Sequence, residues 1–240
     1  MCCNHCPTAE TDWVTVQPLL NDALTQLARA ESDLFAMRAN ERTIVAHLAC
    51  YLNKNFRSLF FRWQIDTDYN RVLMDGKSKK QPLEFLSDAL DWLGNQRTQN
   101  NDFGNYLGNF TDQQFDLARD ALIGEVADLD EVRKKTTPDL IVHGRGCSSL
   151  AHNYLALEFK PDWSLKHLSL VDLARMKVFV TNKYCEDSRK LPTYQNSIFI
   201  YQQPKARFGA WLFKNGEDHE NKKPTFIKFG HQSAASEHNS

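Results

Sequence analysis

No stretch of this sequence approaches the roughly 20 consecutive apolar residues that a membrane-spanning helix needs, and residues 1–13 lack the apolar core of a secretory signal. A soluble, cytoplasmic protein with no membrane partner is therefore expected. Charge of one sign is scarce as well. Twenty-nine Lys and Arg stand against 30 Asp and Glu, a formal net charge of −1. The whole-protein field does not steer polyanions, which counts against a general nucleic-acid coat protein but leaves room for an enzyme with a local basic cleft. Absent too are the Gly-x-Ser-x-Gly elbow, the P-loop and the dinucleotide-binding glycine pattern. The cysteines form no disulfide framework: Cys50, Cys147 and Cys185 are scattered and expected to be reduced. Cys2, Cys3, His5 and Cys6 crowd four soft ligands into five residues. Structural zinc sites draw their ligands from two separated turns, so residues 1–11 read as a flexible Cys-rich tail.

What is present is enough apolar material for one well-buried core: 42% of 240 residues are hydrophobic. Val16, Leu19, Leu20, Ala23, Leu24 and Leu27 recur at helical spacing and predict a helix over 12–30. Ile44, Val45, Leu48, Ala49, Leu52 and Phe56 predict a second over 40–55. Residues 59–68, aromatic and alternating, read as a strand. A basic loop at 77–80 precedes a helix opened by Pro82 and carried through Phe85, Leu86, Ala89, Leu90 and Leu93. Residues 96–109 read as a loop. Thr111 reads as the cap of a helix through Phe115, Ala118, Leu122 and Val126, ended by the positive charge of Arg133, Lys134 and Lys135. Residues 140–142 and 154–159 are short apolar runs and read as buried strands. Residues 168–180 read as an amphipathic helix, and 197–201, 210–213 and 225–229 as strands. The tail, 231–240, is expected to be flexible. The order predicts an α/β chain with a central sheet flanked by helices.

The chemistry centres on Pro138-Asp139 and, 19 positions on, Glu158-Phe159-Lys160. Side chains alternate along a strand, so Glu158 and Lys160 share a face. If the two strands pair, the Asp139 carboxylate meets Glu158. Two carboxylates brought together stay ionised cheaply only beside a cation, and Mg²⁺ (or Mn²⁺) suits one or two carboxylates, waters and phosphate oxygens. An ammonium at Lys160 can orient an attacking water or stabilise charge developing on phosphate. The Phe159 side chain faces the core, while its backbone carbonyl can join the metal. Glu41 precedes Ile44, Val45 and Leu48 by helical spacings and lies on the apolar face. Such a carboxylate is either paired or metal-bound, or it is a first-turn Glu favoured by the helix dipole with its tip in solvent.

Pro138-Asp139 with Glu158-Phe159-Lys160, each in a strand-like run and followed by a helix, resembles the PD-(D/E)XK nuclease superfamily. The resemblance implies a restriction-endonuclease-like fold, with Asp139 and Glu158 as metal ligands, Lys160 as the catalytic lysine and Glu41 as an acidic residue joining the site. With Glu41-Arg42 and Asp66-Thr67-Asp68-Tyr69-Asn70-Arg71, it extends over 40–71 and 138–180 and is similar to a microbial and phage branch. Residues 77–137 then read as a helical insertion in a single domain spanning 12–230. Asp66 and Asp68 either support metal or Arg71, or form a polar strand end. Asp172, Arg175 and Lys177 fit the acidic-then-basic spacing of this branch. Arg71, Arg175 or Lys177 is placed to bind substrate phosphate, with a solvated helix face as the alternative for the last two. Other basic groups (Lys54, Arg57, Arg62, Lys77, Lys79, Lys80, Arg189 and Lys190) are assigned to no cleft. His143 shares a strand face with Asp139, so it is either near the metal or a satisfied core histidine. His47 and His152 carry no assignment, and Cys147 with either His143 or His152 fits no thiol-nucleophile pattern. The expected activity is Mg²⁺- or Mn²⁺-dependent hydrolysis of nucleic acid, DNA in preference to RNA, with a homodimer suited to double-strand cleavage. A non-catalytic nucleic-acid-binding module on the same scaffold is the alternative.

Overall fold

The structure is a computed structural model, which describes residues 13–57, 63–67, 80–98, 110–126, 138–144, 153–180, 194–203, 207–214 and 224–229. The first apolar stripe forms helix α1 (Trp13–Ala30), which buries Val16, Leu20, Ala23, Leu24 and Leu27 completely. A short helix α2 (Ser32–Ala36) follows. It ends where Arg38 takes a left-handed backbone (φ 51°), the Ala39 N–H donating to Leu34 O and the Arg38 N–H to Phe35 O. This is the Schellman closure with Arg in the place that glycine usually fills. Two residues later Asn40 Oδ1 accepts from the Arg42 N–H and caps helix α3 (Glu41–Arg57). The closure and the cap together fix where α3 begins, and so place Glu41.

The remaining elements are β1 (Trp63–Thr67), α4 (Lys80–Thr98), α5 (Asp112–Val126), β2 (Leu140–Gly144), β3 (Asn153–Lys160), α6 (Lys166–Phe179), β4 (Asn196–Gln203), β5 (Arg207–Lys214) and β6 (Thr225–Phe229). The strands form one six-stranded sheet in chain order, β1 to β6. Every neighbouring pair is antiparallel except β3 and β4, which run parallel and are joined through α6. That matches the need of a parallel pair for a crossover helix. The α/β class and the mixed sheet flanked by helices are as the sequence predicts. No helix among the described residues is long and apolar enough to cross a membrane.

Two apolar cores sandwich the sheet. One joins α1 and α3 to Leu140, Val142, Leu155, Leu157, Phe159, Ile198 and Ile200. The other joins α4, α5 and α6 to Ile141, Ala156, Phe199 and Trp211. Helix α6 lies against β3 and β4 and is in turn covered by α4 and α5. This corrects the expectation of an amphipathic helix over 168–180. Ser169 to Ala174 and Met176 to Val180 are buried, because α6 is the middle of three layers on this side. The expected loop over 96–109 is corrected at its start: α4 runs on to Thr98, with Arg97 bonded to Asp112 and Asp116 on α5, while residues 99–109 lie outside the described residues. Thr111 caps α5 as expected, in a reciprocal box: the Gln114 N–H donates to Thr111 Oγ1 and the Thr111 N–H to Gln114 Oε1.

Candidate metal centre

The site forms where β2 starts and β3 ends. Leu140 pairs with Leu157, so Phe159 lies past the beginning of β2. Its N–H donates to Asp139 Oδ2 at 2.9 Å, and the Asp139 N–H donates to Glu158 Oε2 at 3.3 Å. The two carboxylates thus close the end of the ladder, each satisfying a backbone donor of the opposite strand. The Phe159 side chain is fully buried in the core.

Glu158 and Lys160 share a face, as alternation requires, with Lys160 Nζ 2.8 Å from Glu158 Oε1. Glu41 reaches the same ammonium from the first turn of α3, Oε1 lying 2.8 Å from Nζ. Asp172 reaches it from α6 at 3.0 Å. The other oxygen of Asp172 lies 2.7 Å from Arg175 Nη1. Lys160 is only 7% exposed and Glu158 also 7%, so these charges meet with little water to screen them. Glu41, Asp139 and Glu158 each offer a carboxylate oxygen, all within 4.8 Å of one another.

The electrostatics follow from burial. Desolvation raises Asp139 to about 7; Glu41 and Asp172 add to the rise, while Lys160 and the Phe159 N–H oppose it. Glu158 is raised well above the usual carboxylate range, first by burial and then by Asp139 and Asp172, against Lys160. Burial works against the Lys160 ammonium, but Glu158, Asp172, Asp139 and Glu41 outweigh it and hold it charged far above its ordinary range. Among the described residues four carboxylates crowd around Lys160 and Arg175, and burial with mutual repulsion pushes Asp139 and Glu158 toward the protonated form. That is an arrangement that takes up protons or a divalent cation.

Of the residues singled out in the sequence, Glu41, Asp139, Glu158 and Lys160 come together. Glu41 resolves its two readings: it stands in the first helical turn, yet its tip bonds Lys160 rather than only solvent. Arg175 and Lys177 do not sit on a solvated helix face. Lys177 is buried, and the Arg175 side chain is largely buried with Nη1 on Asp172. Asp66 is not one of the three clustered carboxylates; its Oδ2 lies 2.9 Å from Nε2 of the buried His143. That pair ties the edge strand β1 to β2, so His143 is the satisfied core histidine of its two readings. Arg71 and Asp68 lie outside the described residues, as do the cluster Cys2, Cys3, His5 and Cys6, and Arg62, Lys77, Lys79, Arg133, Lys134, Lys135, Cys147, His152, Arg189, Lys190 and the tail 231–240. The part played by Asp172 at the centre of the site is what sequence reasoning missed; its place among the apolar Leu170, Val171, Leu173 and Ala174 was the available signal. Compared with protein-family profiles, curated proteins and solved structures, the chain matches none of them.

Proposed function

We propose that this chain is a divalent-metal-dependent nuclease that hydrolyses phosphodiester bonds, with DNA the favoured substrate, on a restriction-endonuclease-like form of the mixed-sheet fold. The reading is carried by one observation: the carboxylates of Glu41, Asp139 and Glu158 converge within 4.8 Å beside the buried ammonium of Lys160. The donor set fits Mg²⁺ or Mn²⁺. All three ligands offer hard oxygens, Glu41 from α3, Asp139 from just before β2 and Glu158 from β3, the donor type that these ions prefer.

Glu41, Asp139 and Glu158 would hold the ion. A bound ion would supply charge neutralisation and polarisation at a phosphate oxygen. The chain supplies the rest. Burial lowers the local dielectric, so each charge acts strongly on a substrate phosphate. Lys160 donates to Glu41, Glu158 and Asp172, and a metal drawing on the two glutamates would leave its ammonium able to turn a donor to a non-bridging phosphate oxygen or the attacking water. Hydrolysis adds water across a P–O bond, and negative charge grows on the phosphoryl oxygens as it does so, where a fixed ammonium stabilises it. The complete acid–lysine set favours an enzyme over a non-catalytic binding module.

Cleavage of circular and linear DNA and of RNA, with Mg²⁺ or Mn²⁺ and with chelator, tests the proposal. Glu158→Ala is expected to abolish metal-dependent cleavage while retaining the wild-type circular-dichroism spectrum. Wild-type cleavage by the folded variant would overturn the assignment.

A further inference from the structure

The carboxylates around Lys160 and those of the metal cluster overlap without coinciding. Glu41 and Glu158 belong to both sets: each places Oε1 2.8 Å from Lys160 Nζ, and each offers an oxygen to the cluster. Asp139 belongs to the cluster, its Oδ2 accepting from the Phe159 N–H. Asp172 is bound to Lys160 at 3.0 Å but is not part of the cluster. Both of its oxygens are committed, Oδ2 to Lys160 and Oδ1 to Arg175, three residues on along α6. The carboxylate is therefore held at both ends.

A cation entering the cluster draws on the oxygens of Glu41 and Glu158 and repels the ammonium beside them. Lys160 has a flexible four-carbon stem, so an ammonium released by two of its three partners moves unless the third holds it. We propose that Asp172 is a positioning residue: pinned by Arg175, it keeps Lys160 at the site and directed to the substrate phosphate once a metal has claimed Glu41 and Glu158. The substrate in this statement rests on the nuclease reading, whereas the anchoring of Lys160 does not. Arg175 then acts through Asp172.

The test uses the full chain as wild type, Asp172→Asn, Asp172→Glu and Arg175→Gln, with Asp139→Asn as the ligand control. Mn²⁺ binding, followed by electron paramagnetic resonance, is expected to weaken strongly in Asp139→Asn and to change little in Asp172→Asn. Equal weakening in both would make Asp172 a ligand and overturn the proposal. At saturating Mn²⁺, labelling of Lys160 by an amine-acylating reagent, read by mass spectrometry, is expected to rise several-fold in Asp172→Asn and less in Asp172→Glu. Unchanged labelling would overturn it. In single-site cleavage kinetics, kcat is expected to fall about 100-fold in Asp172→Asn, the scale of a misplaced catalytic group, with KM little changed and partial recovery in Asp172→Glu; a wild-type kcat would overturn it. A wild-type protein that binds Mn²⁺ and cleaves nothing refutes the nuclease reading, while the labelling still decides the role of Asp172. If Asp172→Asn fails to fold, Arg175→Gln must show the same directions at smaller size, and wild-type labelling in that variant counts against the proposal.

Discussion

Replacing Lys160 by Met removes an ammonium shared by Glu41, Glu158 and Asp172 and keeps most of the side-chain volume. The three ion pairs it breaks span 2.8, 2.8 and 3.0 Å, in a place where Lys160 and Glu158 are nearly inaccessible to water. Breaking one buried ion pair from one side costs about 3–5 kcal/mol, because the partner is left buried and uncompensated. Here three carboxylates are deprived of their partner together, but each can relieve the strain by taking up a proton, so the same range is expected rather than a multiple of it. For a chain of this size each kcal/mol moves the melting temperature by roughly 2–4 °C, which gives a drop of about 6–20 °C. Thermal unfolding followed by circular dichroism at pH 7.5 with chelator measures it. The drop should shrink at pH 5.5, where protons do part of the work of the missing ammonium. It should shrink also with Mn²⁺ at pH 7.5, since the three cluster oxygens remain. An unchanged melting temperature at pH 7.5 with chelator would refute the electrostatic reasoning.

Three further outcomes follow from the same structure. The Asp139 carboxyl is raised from 3.8 to about 7 on folding, so the folded chain binds the extra proton between those values; this contribution is present in full below pH 4 and is lost as pH rises to 7, on the order of 4 kcal/mol. The metal-free melting temperature should accordingly fall over that window and Mn²⁺ should restore it increasingly toward pH 7.5; a flat metal-free profile from pH 5 to 7.5 would contradict the burial of these acids. Arg38→Gly should stabilise the chain by about 0.5–1 kcal/mol in urea unfolding, because Arg38 holds a left-handed backbone at φ 51° that glycine adopts freely, and destabilisation would argue against the closure that places Glu41. Thr111→Ala should cost about 1 kcal/mol in the same assay through loss of the α5 capping box, and no loss would show the cap to be idle.

The acidic centre was legible because it depends on local rules. Strand alternation puts Glu158 and Lys160 on one face, and adjacent pairing brings Asp139 to them. Glu41 was harder to place, since its spacing fits both a paired acid and a solvent-facing first-turn residue; the choice is made by the α2 closure and the Asn40 cap, which set the position of α3. The burial of α6 was not legible. Amphipathicity read along residues 168–180 cannot tell that α4 and α5, far earlier in the chain, return to cover its outer side. With that cover missing from the reading, Arg175 and Lys177 look like surface cations and Asp172 like their solvated neighbour. Residues 96–98 misled for a related reason: Asn95, Gln96 and Arg97 have no apolar signal of their own, and the turn is held by Arg97 bonding to Asp112 and Asp116 across to α5.

Whether these carboxylates hold a metal is decided by Mn²⁺ binding to the metal-free chain near pH 7.5, compared between wild type and an Asp139→Asn, Glu158→Gln double variant. Both changes keep side-chain size and remove charge from the two ligands that the sheet supplies. Saturable binding is expected in the wild type, and its loss in the double variant while the fold is kept. Wild-type affinity in the double variant would place the metal elsewhere and contradict the assignment of Glu41, Asp139 and Glu158 as the site.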